Sequence, residues 1–112
     1  MSDRAIASKI WETVAINNAA ASGDLTVKAI AAGERFVVFH LFLQSEGATD
    51  VSVKSASTSL TGAVLTASGD EFEWKNSGFP VFVGTATGDD FILNVSAAVQ
   101  VNGFATIGVI KQ

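Results

Sequence analysis

Hydrophobic and polar residues alternate with a period of two along most of the chain, and short runs of Gly, Ser, Asn and Asp interrupt this alternation. The pattern is typical of half-buried β-strands separated by turns. The predicted strands cover residues 9–16, 24–31, 35–44, 49–54, 59–66, 70–75, 80–83, 91–96 and 99–111. Strands at this spacing predict an all-β protein: a single β-sandwich or jelly-roll-like domain of eight or nine antiparallel strands.

The chain divides into an N-terminal arm over residues 1–8 and a β-sandwich domain over residues 9–112. Its 112 residues fit one domain, which can bury roughly two-thirds of its unfolded surface. The arm holds the one helical candidate, a short turn near residues 3–8. Pro80 has no N–H for a strand ladder, so the strand that it begins is expected at a sheet edge.

Two strands carry more apolar residues than one core can bury. In a two-sheet sandwich each strand has one face on the core and one in water. Strand 35–44 is apolar on both faces. On the last strand, Phe104 and Ile110 project opposite Val101, Ala105, Ile107 and Val109. Either loops of the same chain cover the surplus side chains, or a homo-oligomer or larger assembly does. We expect an oligomer or capsid interface at Ile6, Trp11, Phe36, Val38, His40, Phe42 and Phe104.

Composition excludes several classes of function. The net charge is −4 and the seven basic residues are scattered, so a nucleic-acid groove is not expected. The hydrophobic fraction is 48%, yet no run approaches the roughly 20 apolar residues of a membrane helix. The first residues lack the features of a secretory signal, so we expect a protein made and used without Sec export. The chain has no cysteine, which removes thiol chemistry.

The candidate chemical groups favour structural roles. His40 is the only histidine and lies within an apolar strand, where a packed or interface histidine is expected and a pH-sensitive contact is the alternative. The acidic cluster of Asp70, Glu71 and Glu73 has the pattern of a solvated strand face, with a Ca²⁺ site or partner ion pairs as the alternative. Asp89 and Asp90 follow Gly88 and indicate a turn. We therefore predict no enzyme activity, no cofactor and no metal.

Three stretches carry a family resemblance. They are a Gly-Asp-Leu-Thr entry strand (23–26), the stretch Lys-Ser-Ala-Ser-Thr-Ser-Leu-Thr-Gly (54–62) and the near-terminal run Asn-Val-Ser-Ala-Ala-Val-Gln-Val-Asn-Gly (94–103). With these stretches the chain resembles small virion structural proteins of tailed bacteriophages, and the similarity covers roughly residues 14–110. The resembling motifs are turn and strand patterns without a catalytic signature.

The resemblance implies a jelly-roll-like sandwich on the phage particle, most directly a capsid decoration (cement) protein. Such a protein forms a homo-oligomer, commonly a trimer, and binds the major capsid protein on the capsid surface after synthesis in the host cytoplasm. The N-terminal arm is then expected to pack on the capsid. A small tail, neck or head-fibre component has the same sequence features. A carbohydrate-binding module is a third interpretation, and it depends on Trp11, Trp74 and the acidic strand over residues 70–75.

Overall fold

The computed structural model describes residues 12–18, 21–75 and 79–111, and every regular element in them is a β-strand. The strands are β1 (Glu12–Asn18), β2 (Gly23–Lys28), β3 (Glu34–Ser45), β4 (Thr49–Ser55), β5 (Thr58–Ser59), β6 (Val64–Thr66), β7 (Glu71–Lys75), β8 (Phe82–Val83), β9 (Phe91–Val95) and β10 (Val101–Lys111). The described residues contain no helix of the length and apolarity needed to cross a membrane. The helical candidate near residues 3–8 lies outside the described ranges.

The strands form two antiparallel five-stranded sheets that face each other. Sheet A has the order β1-β10-β3-β7, with β8 also pairing with β3, and sheet B has the order β2-β9-β4-β5, with β6 also pairing with β4. In sheet A, β7 and β8 both pair with β3 and form one edge; in sheet B, β5 and β6 both pair with β4 and form one edge. Each sheet is therefore four strands wide, as in a jelly roll. The predicted all-β sandwich is confirmed, and β8 lies at an edge, as Pro80 indicates.

The core lies between the sheets and is built from the inward residues of both. Phe36 of sheet A packs on Phe91 of sheet B, with ring centroids 5.2 Å apart. Around this pair lie the other buried side chains of the core, which are Ile16, Ile30, Val38, Leu41, Leu43, Val51, Val53, Leu93, Val95, Val101, Ala105, Ile107 and Val109. The predicted alternation of β9 and β10 is confirmed, because their odd-numbered apolar residues point inward.

A β-bulge in β3 changes which of its residues face the core. Val38 pairs with Ile107, and His40 pairs with the adjacent residue Thr106. Phe39 is therefore one extra residue of β3 in the register with β10. An extra residue of this kind reverses the alternation of side chains along the strand. Phe36 and Val38 therefore point into the core on one side of the bulge, as Leu41 does on the other side.

The prediction that Phe36 and Val38 face outward is therefore wrong. Both side chains are 0% exposed within their own chain. Strict period-two alternation over residues 35–44 assigned them to the same face as Phe42, but the bulge lies between them and Phe42. Neither residue is available to a partner.

One end of the sandwich is closed by a polar network below the predicted Asp89–Asp90 turn. Ser55 is 0% exposed, and its hydroxyl donates to the Asp89 carboxylate at 2.9 Å and accepts from the Thr85 N–H at 2.9 Å. Asp90 accepts from the Ile30 N–H at 2.8 Å. Gly88 has φ 83°, a left-handed conformation that glycine adopts without strain. Both aspartates thus hold a turn together, as predicted.

Candidate functional site

The outer face of sheet A carries a group of aromatic rings, His40, Phe42 and Phe104, which we call the outer aromatic cluster. Phe42 lies on β3 and Phe104 on β10, and the two residues are directly paired. Because β3 and β10 are the inner strands of sheet A, the cluster lies at the middle of the face. Directly opposed residues of an antiparallel pair project on the same side, about 4.5–5.5 Å apart at Cβ.

The rings contact one another and are half-buried. Phe42 and Phe104 stack with centroids 5.7 Å apart and an interplanar angle of 26°. The His40 ring meets Phe104 edge-on, with centroids 4.9 Å apart and an angle of 84°. Each such pair is worth about 0.5–1.5 kcal/mol beyond area burial, so the cluster is a preorganised surface rather than three independent side chains.

A carboxylate completes the cluster on its β7 side. His40 Nε2 lies 2.6 Å from Glu73 Oε2, and the His40 side chain is 23% exposed. Because a carboxylate only accepts hydrogen bonds, Nε2 carries the proton in this contact. The His40 ring therefore contacts the Glu73 carboxylate of β7 and the Phe104 ring of β10.

The acidic cluster is split between a turn and the outer face. Asp70 accepts from the Ala67 N–H at 2.8 Å, which is a turn contact. Glu71 and Glu73 are exposed, and Glu71 lies 3.4 Å from Gln44 Nε2. No three His, Cys, Asp or Glu side chains in the described ranges are grouped so that they could hold a metal ion.

The structure places five of the seven predicted interface residues, in two locations. His40, Phe42 and Phe104 come together in the outer aromatic cluster. Phe36 and Val38 are in the core. Ile6 and Trp11 lie outside the described residues.

Two exposed apolar residues near β8 were not predicted as interface residues. Phe79 is 69% exposed and Val83 is 40% exposed. Val83 pairs with Val37 of β3 and therefore extends the apolar part of the sheet A face toward its β8 edge. Phe79 immediately precedes Pro80, whose fixed φ favours a turn at the surface, and this was the available signal in the sequence.

Trp74 does not provide a sugar-stacking platform. It is half-buried and packs against the core, with its ring 5.8 Å from Phe82 and 6.1 Å from Phe72. Since Trp11 lies outside the described residues, the carbohydrate-binding alternative has no tryptophan to support it within them.

The outer face of sheet B has a different chemistry. Asp24 accepts hydrogen bonds from Asn94 Nδ2 at 2.8 Å and from Lys54 Nζ at 3.3 Å. The Asn94 hydrogen bond is the main cause that lowers the pKa of Asp24, and the charge and hydrogen bond of Lys54 add to it. These polar groups satisfy one another across the neighbouring strands of sheet B.

Comparison with known proteins shows the fold. No family model and no curated protein sequence matches the chain. The chain is similar to a protein of the Helicobacter pylori bacteriophage KHP30 capsid, with 14% identity, a TM-score of 0.56, and coverage of 92% of this chain and 93% of that one. It is similar to the tobacco streak virus coat protein at 10% identity and a TM-score of 0.56, covering 91% of this chain and 84% of that one.

A third similar structure comes from a cellular assembly. It is a protein of the disulfide-linked pili of Bacillus endospore appendages, with 14% identity, a TM-score of 0.53, and coverage of 91% of this chain and 87% of that one. All three similar proteins belong to structural assemblies by their names. At these identities the comparisons establish a shared jelly-roll architecture.

Proposed function

We propose that this chain is a structural protein of a bacteriophage virion, and specifically a capsid decoration (cement) protein. It forms a homo-oligomer, in our proposal a trimer, and binds the major capsid protein on the capsid surface after synthesis in the host cytoplasm. The observation that carries the proposal is the half-buried outer aromatic cluster, which the described part of the chain leaves open to a neighbour. The jelly-roll fold shared with capsid proteins supports it.

The outer aromatic cluster has the properties of a contact between subunits. Its two Phe rings are already stacked, so a partner that covers them does not have to order them first. Aromatic side chains are enriched at the centres of protein interfaces, where a polar rim excludes water. Here Glu73 and Gln44 on the same face provide polar groups at the rim of the cluster.

Replacing both phenylalanines tests this contact. In the double variant Phe42→Ser and Phe104→Ser, we expect self-association or capsid binding to weaken at least tenfold, because both rings are already half-buried in the single chain and a partner covers only their remaining surface. Burial of one Phe side chain is worth about 1.5–3 kcal/mol, and about 1.4 kcal/mol corresponds to a factor of ten in affinity. Sedimentation velocity of the purified protein, and co-sedimentation with capsids that lack it, measure the two affinities.

Ile92→Ser is the matched control, because Ile92 projects from the outer face of sheet B and is half-buried like the two phenylalanines. It should leave both affinities unchanged. A double variant that still assembles and binds capsids with the affinity of the natural sequence would remove the outer aromatic cluster from the proposal.

The N-terminal arm is the second proposed contact. Removing residues 1–8 should abolish binding to the capsid while leaving the thermal unfolding of the domain in place, because the regular strand pattern begins beyond them. Co-sedimentation with capsids and circular dichroism provide the two measurements. Unchanged capsid binding by the truncated protein would refute a role for the arm.

A further inference from the structure

The described strands leave four sheet edges, and an edge strand presents unpaired N–H and C=O groups that can pair with another chain. In sheet A the edges are β1 on one side and β7 with β8 on the other. In sheet B they are β2 on one side and β5 with β6 on the other. Proteins commonly block such edges with charges, bulges or very short strands.

Three of these edges carry a blocking feature. β7 carries charged side chains at every second residue, all on its outer face: Glu71, Glu73 and Lys75. β5 and β8 are two residues long and β6 is three. β2 is interrupted by a register shift between Thr26 and Lys28. Each feature hinders the addition of another strand.

β1 has none of these features. Its seven residues pair with β10 in one uninterrupted register. Glu12 is its only charged residue, and its carboxylate is held by Lys28 Nζ at 2.6 Å. Thr13, Ala15 and Asn17 are exposed on the outer side. No described strand occupies the second edge of β1.

The sequence of β1 is complementary to itself when it runs antiparallel about Ala15. Thr13 then lies opposite Asn17 of a second copy, Val14 opposite Ile16, and Ala15 opposite Ala15. These pairs place polar with polar, apolar with apolar and small with small, and none opposes like charges. Val14 is half-buried in the single chain, so pairing also covers apolar surface on the core side.

We propose that β1 is a strand-addition site whose partner is β1 of a second copy of this chain. The two strands pair antiparallel about a two-fold axis at Ala15, and the two copies of sheet A become one continuous sheet. A two-fold contact of this kind uses the same patch on both subunits. It is distinct from the outer aromatic cluster and does not depend on a virion role.

Single cysteines provide a test of this pairing, because the natural chain has none. Directly opposed residues of an antiparallel pair have Cα atoms about 4.5–5.5 Å apart, within the range of a disulfide. In the full-length protein at micromolar concentration, Ala15→Cys should form disulfide-linked dimers at least tenfold faster than Ala63→Cys. Ala63 is an exposed residue outside the strands and serves as the control.

The register is tested by mixing two variants of different mass, Thr13→Cys and Asn17→Cys. The proposal places these positions opposite each other, so disulfide-linked heterodimers should exceed either homodimer at least tenfold. Thr13 and its own copy would be about 13 Å apart along the strands, which is too far for a disulfide. Equal rates for Ala15→Cys and Ala63→Cys, or homodimers as abundant as heterodimers, would overturn the proposal.

Discussion

Replacing Gly103 with alanine is expected to destabilise the domain by about 3 kcal/mol or more, a large share of the roughly 5–15 kcal/mol that holds a typical domain folded. A Cβ built at Gly103 would lie 1.8 Å from the backbone oxygen of Phe42 and 3.1 Å from the Cα of Leu43. Backbone atoms in the middle of a sheet cannot move aside as a flexible side chain can. The two inner strands of sheet A would therefore have to separate.

Gly62→Ala is the matched control for this substitution. Nothing lies within 4 Å of a Cβ built at Gly62, and its φ is not in the left-handed region. It should change the free energy of unfolding by no more than about 0.5–1 kcal/mol in either direction. Urea unfolding followed by tryptophan fluorescence measures both variants. A Gly103→Ala protein as stable as Gly62→Ala would contradict the close approach of β3 and β10.

Much of the fold was predictable because a half-buried strand repeats every two residues. The alternation in β7, β9 and β10 assigned their inward residues correctly, and the turn residues between them separated the strands. β10 is continuous from Val101 to Lys111, although Gly103 lies within it. Gly103 allows the backbone of β3 to approach β10 closely. The sequence around Gly103 does not show that β3 is its neighbour.

The faces of β3 were not predictable from local alternation. Its residues are apolar at both odd and even positions, so the pattern contains no mark of the extra residue at Phe39. With the bulge in place, the outer face of β3 includes Arg35, His40 and Gln44, and it is more polar than the sequence indicated. The bulge can be recognised only when the two strands are compared. The alternation of β10 is the same along its whole length, whereas the alternation of β3 reverses at the point that lies opposite Thr106 and Ile107.

The bulge also connects the fold to the candidate interface. It lets Phe36 and Val38 fill the core at one end of β3 while His40 and Phe42 face outward beside Phe104 at the other. A regular strand over the same residues could not satisfy both ends, because its alternation would turn one of these pairs around. The position of β1 at a sheet edge also depends on topology. It could not be predicted from the sequence of β1, because it follows from β1 having a described neighbour, β10, on one side only.

Deleting Phe39 is therefore expected to be among the most damaging single changes to the chain. The deletion restores regular alternation to β3, and one end of the strand must then turn over relative to β10. If the N-terminal end turns, Phe36 and Val38 leave the core, at a cost of about 3–6 kcal/mol for two fully buried side chains. We expect a protein that is largely unfolded, or one with exposed apolar surface and no cooperative thermal transition.

Phe39→Ala separates the role of the extra residue from that of the ring. This substitution keeps the residue count and the bulge and removes only a half-buried side chain, so we expect a loss of about 1–3 kcal/mol and an intact cooperative transition. Calorimetry and binding of a dye specific for exposed apolar surface distinguish the two variants. If the deletion variant melted as cooperatively as Phe39→Ala and at the same temperature, the bulge would not be what sets the two faces of β3.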